Sequence, residues 1–382
     1  MHPFFRRFVL SFLAALTVFC AGMATLLVRT REIDVFMPSN IETDAEILWG
    51  PGFGQQSAAY KLRRAAWLRP ELLVLGSSRV TQTRDAMAPG IRTYNAGLGA
   101  SSLPEALAFL RALYAVHRPR VVVLGIDPWW FDLQQDPPQP LIRRTFDVRG
   151  WLANVAAHGL FSAPVVKRAL VGIADTPDRF GGRRTVGYLA AATSSGFRPD
   201  GSYQYGDVFL GLNPQFDVLD MDYAHDFAFY TRAVRRAEDR FRYTGPVLPI
   251  HIAMLDEILR LNAEAGVGTV IFFPSFPAAV WRAIEETPSQ RDYFVRIVAS
   301  VSKMAGRHDV AVFDYLNLGR LGMSDVQTID GLHADEVATG AMWLDMVRRS
   351  SVLSSLYGPA GIAALARLTA TPERPWPHML VR

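Results

Sequence analysis

The sequence predicts an α/β protein: a doubly wound, mainly parallel sheet of five strands, with a large insertion and an N-terminal transmembrane helix. Three observations lead there. Short runs of consecutive apolar residues alternate with amphipathic stretches of helical length, as strand–loop–helix units require. One long stretch, residues 132–245, breaks that rhythm between the third strand and the fourth. Residues 8–28 carry no charge, and a run of that length suits a helix crossing a bilayer.

From the amino terminus, Phe8 to Val28 is apolar apart from Ser11, Thr17 and Thr25. The run continues through Leu26-Leu27-Val28 without a small-x-small ending, which favours an uncleaved anchor over a signal peptide. The bulky Phe19 before Cys20 argues against lipoprotein processing. Arg6 and Arg7 precede the span, and Arg29 and Arg31 follow it. The expectation is a single-pass protein of the cell (inner) membrane, with a cytoplasmic amino terminus and the main domain periplasmic or extracellular.

Residues 29–70 read as a juxtamembrane lead-in, with glycine-rich WGPGFGQQS (49–57) and a short helix in KLRRAAWLRP (61–70). The α/β domain spans 71–350. Its strands are ELLVLG (71–76), IRTYNAG (91–97), RVVVLGID (120–127), GVGTVIFFP (266–274) and HDVAVFDY (308–315). Apolar residues at consecutive positions, without alternation, mark strands buried on both faces. Its helices are SSLPEALAFLRALYAVH (101–117), HIAMLDEILRLNAEAG (251–266), RDYFVRIVASVSKMAG (291–306) and DEVATGAMWLDMVRRSS (335–351). The first has a serine cap and a proline in its first turn; the last has acids at its start and arginines at its end. The insertion holds Pro-rich QQDPPQP (134–140), a turn between short strands in FRPDGSYQYGD (197–207), and a helix, FAFYTRAVRRAEDRF (227–241). A segment this long reads as an elaboration over the active edge. Residues 351–382 form a tail in which GIAALARL (361–368) is one more helix.

Bulk properties exclude some functions. The formal charge of +4 comes mostly from scattered arginines, Lys61, Lys167 and Lys303 being the lysines. No basic stripe with interleaved aromatics points to nucleic acid. The lone Cys20 excludes an intrachain disulfide and a Cys-rich metal site. His117, His158, His225, His251 and His308 lack partners at ligand spacing, so no metal is expected. No phosphate loop or dinucleotide fingerprint appears, so no cofactor is expected.

In an open α/β sheet, ligands bind beyond the carboxyl ends of the strands. The first strand is followed there by Ser77 and Ser78, and the second by Asn95, Gly97 and Gly99. The third is followed by Asp127, Pro128, Trp129 and Trp130, the fourth by Pro274 and Ser275, and the fifth by a loop carrying Asp330-Gly331-Leu332-His333. A serine, glycine-loop amides and an Asp–His pair are the parts of acyl transfer through a serine. Three residues apart in a turn, the carboxylate can fix one imidazole nitrogen and leave the other as general base. Blander readings stand beside this one. In them Gly76 only turns the chain before a serine cap, and Asp-Gly is a common turn. Asp314 and Asp325 are alternative acids. Trp129 and Trp130 stack on a sugar or pack the core. Arg79 binds an anionic substrate group or is a solvated helix residue. FRPDGSYQYGD is a plain turn or a substrate lip.

The order Gly-x-Ser, glycine loop, Gly-x-Asx and late Asp-x-x-His resembles the SGNH/GDSL hydrolase superfamily, over roughly residues 71 to 350 with the insertion outside. The resemblance implies a flavodoxin-like SGNH fold. It sets Ser78 on the nucleophile, His333 on the base and Asp330 on the orienting acid. Gly99 falls on the oxyanion-hole glycine, with Gly97 as alternative, and the Ser78 amide is a further donor. Ser77 stands where the family has aspartate. The third block departs from the pattern: Gly125-Ile126-Asp127-Pro128 has a carboxylate where the family has a donating asparagine. A carboxylate cannot donate unless protonated, and Asn95 is one candidate to compensate. The anchor, the Gly-Ser-Ser-Arg start and the insertion are similar to anchored SGNH proteins that work beside membrane-bound O-acyltransferases. That likeness implies an acyl-ester substrate on an extracytoplasmic glycan. The competing reading is an inactive SGNH-fold scaffold in a cell-surface polysaccharide system.

Overall fold

The structure is a computed structural model describing residues 3–30, 47–48, 57–132, 166–167, 185–187, 190, 195–205, 227–242 and 246–370. Two compact units emerge, residues 1–55 with 145–196 and residues 56–144 with 197–382. The first contains helix α1 (Pro3–Arg29), long and apolar enough to cross a membrane. Phe4, Phe8, Phe12, Val18, Phe19 and Val28 are all exposed along it, as side chains meant for lipid would be. In the same unit Ile47–Leu48 pairs in parallel with Thr185–Val186, and the Gly187 amide donates to the Thr30 carbonyl at 2.8 Å.

The second unit is the α/β domain. Its strands are β1 (Leu72–Gly76), β2 (Thr93–Gly97), β3 (Val121–Gly125), β4 (Gly268–Phe273) and β5 (Ala311–Asp314). They form one five-stranded, wholly parallel sheet in the order β2-β1-β3-β4-β5. The register sets Gly76 beside Gly97 and Leu75 beside Leu124. The order reverses at β1, so the switch point where such sheets bind ligands lies where the chain leaves β1 and β3.

Successive residues of each strand feed opposite cores. Leu73, Leu75, Val122, Leu124, Ile271 and Phe273 pack one face. That face is covered by α2 (Ser57–Leu68), α3 (Leu103–Tyr114), α5 (Pro249–Glu264) and α7 (Pro288–Gly306), with α4 (Phe227–Arg236) and α6 (Ala278–Glu286) beside them. Leu72, Val74, Val121, Val123, Val270 and Phe272 pack the other, under α8 (Glu336–Arg349) and α9 (Ser351–Thr369). The ends of the helices follow local chemistry. Ser102 caps α3, its hydroxyl accepting from the Glu105 amide, and Asp335 caps α8 by accepting from the Ala338 amide at 2.8 Å.

Several boundaries move from their sequence positions. The domain begins with α2, whose Ala59, Tyr60, Lys61 and Ala65 are buried, so the second half of the expected lead-in is core-forming. Residues 197–205 and 227–242, within the stretch expected to be an insertion, also belong to the α/β unit. The first part of the expected tail is helical, and residues 371–382 lie outside the described residues. Helix α9 buries Leu353, Tyr357 and Leu365, and the Tyr357 hydroxyl donates to the Met87 carbonyl at 3.0 Å. Its small residues and the kink at Gly358, where φ is 61°, blur the amphipathic stripe that would reveal it. Helix α6, in PAAVWRAIEE, is a further element between β4 and α7. QQDPPQP and nearly all of WGPGFGQQS lie outside the described residues.

Glycine is required at the end of β1. A Cβ on Gly76 would stand 2.7 Å from the Gly125 carbonyl oxygen and 3.0 Å from the Val80 side chain. Gly76→Ala is therefore expected to lower stability by about 1–3 kcal/mol through overpacking. Denaturant unfolding of the purified chain measures it, and an unchanged midpoint would show that β1 and β3 yield there at no cost.

Candidate active site

Beyond Gly76 the chain turns tightly. Ser77 is extended and buried, and its hydroxyl accepts from the Arg79 amide at 3.2 Å, capping a short 3₁₀ turn over Ser78–Val80. Ser77 is thus the cap. Ser78 is half-buried, with its hydroxyl 2.8 Å from His333 Nε2. His333 Nδ1 lies 2.7 Å from Asp330 Oδ2. The carboxylate only accepts, so Nδ1 carries the imidazole proton and Nε2 accepts from the Ser78 hydroxyl.

The Asp330 turn braces itself. Its Oδ1 accepts from the amides of Leu332 and His333, both at 2.7 Å. The loop closes through the Ile329 amide on the His333 carbonyl at 2.9 Å and the Asp335 amide on the Gln327 carbonyl at 3.1 Å. Burial disfavours the Asp330 charge, but the electrostatic pull and hydrogen bond of the adjacent His333 ring and the bonds from the Leu332 and His333 amides outweigh it and hold the carboxyl below its ordinary range. The His333 side chain is 15% exposed and that of Asp330 8%, so the imidazole opens to solvent at one edge while its partner is covered. The alternative acids are occupied elsewhere. Asp314 accepts from the Leu316 amide and from Arg320, and Asp325 caps the start of α6.

The expected oxyanion donors are arranged differently. The Asn95 side-chain amide donates to the carbonyls of Val80 and Thr83, both at 2.8 Å, and its oxygen accepts from the Gly97 amide at 2.7 Å. Asn95 is a buried brace of the serine turn, not a free donor. The Gly99 amide donates to the Ala96 carbonyl at 2.9 Å and the Leu98 amide to the Ser77 carbonyl at 3.2 Å. The glycine loop, Gly97 included, therefore spends its amides on holding the turn. The Ser78 amide has no partner among the described residues.

The proposed substrate contacts are also corrected. Arg79 and Asp127 form an ion pair at 3.0 Å with side chains 0% and 1% exposed, so neither meets a ligand. That pairing answers the charge problem raised by a carboxylate in the third block, because Asp127 is neutralised within the fold. Trp130 is fully buried in the core. Trp129 is half-buried, with the guanidinium groups of Arg79 and Arg240 5.5 and 5.3 Å from its ring centroid. It is engaged with cations within the fold.

A buried polar network next to the triad went unforeseen. Arg84 reaches Asp200 at 3.3 Å and Glu336 at 3.1 Å, and Arg198 reaches Glu336 at 3.0 Å. Asp200 Oδ1 accepts from the amide and hydroxyl of Ser202, and Arg198 donates to the Tyr203 carbonyl at 3.0 Å. Lys61, wholly buried, donates to the Asn95 carbonyl at 3.0 Å and to that of Gly201, with the Phe197 ring 4.1 Å away. Burial pushes its ammonium well below the usual lysine range, Asp200 opposing only in part. Residues 197–205, the described part of FRPDGSYQYGD, are therefore a packed turn between the serine loop and α8. Its charged residues gave no sign of burial, because spacing within one segment does not reveal partners over a hundred residues away.

Among the described residues no three His, Cys, Asp or Glu side chains gather as a metal site; His158 and His225 lie outside those residues. Comparison with protein-family models, curated proteins and solved structures finds no match for this chain.

Burial pushes the Asp335 carboxyl up to about 6, with Glu336 adding and the amides of Ala338 and Val337 opposing. A carboxyl raised in the folded state stabilises the fold below its unfolded pKa, and that stability is lost as pH rises through about 6. Asp335→Asn keeps the cap acceptor without the charge. It is expected to raise stability above that pH by about 1–3 kcal/mol and to flatten the pH dependence below it. Thermal unfolding across the pH series decides; parallel curves for both proteins would refute the assignment.

Proposed function

We propose that the chain is a membrane-anchored serine esterase or O-acyltransferase of the SGNH type, acting on small acyl esters of an extracytoplasmic glycan. One observation carries the proposal: Ser78 and the Asp330–His333 turn, 255 residues away from it in sequence, are joined by hydrogen bonds of 2.8 and 2.7 Å in the order nucleophile, base, orienting acid. Their place beyond the carboxyl ends of a 2-1-3-4-5 sheet suits a flavodoxin-like SGNH fold.

In this reading Ser78 Oγ attacks the ester carbonyl carbon as His333 Nε2 takes its proton. The ionised Asp330 stabilises the imidazolium without taking a proton itself. The Ser78 amide donates to the oxyanion. Collapse expels the alcohol, which takes the proton from His333 and leaves Ser78 acylated. Water or a sugar hydroxyl then attacks with His333 as base, releasing an acid or a new ester and restoring Ser78. With the Asn95 and glycine-loop amides engaged, the hole has fewer donors than expected, and each missing donor typically costs about 100- to 1000-fold. Slow hydrolysis by the isolated chain follows, which suits transfer beside a membrane-bound O-acyltransferase better than free esterase activity. The same engaged amides favour a second reading, a scaffold that keeps the triad without turnover. In both, α1 anchors the chain with its main domain on the periplasmic or outer side, and a reporter fused at the carboxyl terminus checks that orientation.

The full chain in detergent is expected to react with a fluorophosphonate at Ser78. Ser78→Ala and His333→Ala should abolish labelling, and Asp330→Asn should slow it by up to about 10⁴-fold. Gel fluorescence with mass spectrometry of the labelled peptide reads the outcome. A folded wild type that does not label would favour the scaffold.

A further inference from the structure

The residue after the nucleophile does something the triad does not require of it. Arg79 points away from solvent, and its guanidinium bonds in four directions. Nε donates to the Leu332 carbonyl at 3.3 Å, inside the Asp330–His333 turn. Nη1 meets Asp127 at 3.0 Å, beyond β3. Nη2 donates to the carbonyls of Pro274 and Ser275, both at 2.7 Å, beyond β4. The Phe276 ring lies 4.0 Å from the guanidinium carbon. The backbone of the same residue is fixed by its amide on Ser77.

We propose that Arg79 is a positioning residue that holds the base at striking distance from the nucleophile by clamping the His333 turn to the Ser78 turn. The inference rests on the serine-hydrolase reading of this site. The physical case lies in the connections. Ser78 and His333 come from segments 255 residues apart, and their hydroxyl–imidazole bond is a single contact at a partly open edge. Arg79 links the two turns one residue from each reacting side chain, through Leu332 on one side and its own backbone on the other. Asp127 and the two β4-end carbonyls fix the guanidinium plane, so the Leu332 contact cannot swing. The planar fork allows this, because an ammonium offers no fixed directions for four acceptors. Asp127 has a matching role: it neutralises a buried cation and aims it, which accounts for a carboxylate in the third block where a donating amide was expected.

The test uses the full chain in detergent with two variants. Arg79→Lys retains the charge beside Asp127. R79Q/D127N removes both charges and so leaves neither ion buried alone. Each is read, on protein verified as folded by circular dichroism, for the fluorophosphonate rate across pH and for carbethoxylation of His333 by diethylpyrocarbonate, followed peptide by peptide. A displacement of about 1 Å in a reacting group costs on the order of 100-fold, so labelling should slow by about that factor and lose its dependence on a basic imidazole. His333, freed from Ser78 at Nε2, should carbethoxylate faster than in the wild type. Folded variants that keep the wild-type pH profile and His333 protection would overturn the clamp and leave Arg79 a purely structural ion. If the wild type itself fails to label, the esterase reading falls, while His333 protection still decides whether Arg79 holds the turn.

Discussion

Arg79 carries its charge where water does not reach, and the carboxyl edge of the sheet is built around that fact. A guanidinium cannot shed its proton, so its burial is tolerable only if its donors are met and an anion stands close. Asp127 supplies the anion, and the carbonyls of Leu332, Pro274 and Ser275 take the donors. These groups lie beyond β3, beyond β4 and in the histidine turn, and the arginine itself follows β1. Satisfying one ion thereby draws together the segments that carry the serine and the base. The neighbouring cluster of Arg84, Arg198, Asp200 and Glu336 repeats the principle with two cations and two anions.

The triad is held by more polar contacts than it makes. Asn95 bonds three backbone groups of the serine and glycine loops, and Asp330 Oδ1 bonds two amides of its own turn. Each of these contacts fixes backbone, so Ser78 and His333 meet in a preorganised geometry. The same economy spends the glycine-loop amides on the turn, beside an unbroken hydrogen-bonded line from Ser78 through His333 to Asp330.

Much of the fold could be read from the sequence because consecutive apolar residues have few alternatives. VVVLG and LLVLG must be strands covered on both sides, and both are. The serine, the histidine and the aspartate were legible for a related reason: loops at strand ends in a parallel sheet converge, so residues distant in sequence are placed at one edge by topology alone. What stayed hidden was any role set by tertiary partners. Arg79 reads the same whether solvated or buried, and nothing local reveals four acceptors waiting for it. Asn95 has the chemistry of an oxyanion donor, and only its neighbours show that both its donors are spent. Helix α9 lacks a sharp apolar stripe, and the Arg198–Ser202 turn looked like surface because its residues are polar. Trp129 and Trp130 invited a ligand role by position; one is buried in the core and the other is held against two guanidinium groups.

The span between the parts also bears on when the site can exist. Ser78 precedes His333 by 255 residues, Arg84 precedes Asp200 by 116, and Glu336 follows Arg84 by 252. During synthesis the serine turn is made early, but its histidine partner, the carbonyls at 274, 275 and 332 that meet Arg79, and α8 all arrive in the last third of the chain. Pairings of such long range form late. A nascent or truncated chain therefore presents an ordinary serine hydroxyl. The hydrogen-bonded set of Ser78, His333 and Asp330 is complete only when the carboxyl-terminal segment has emerged and docked, so the order of synthesis itself makes this cluster one of the last features of the molecule to exist.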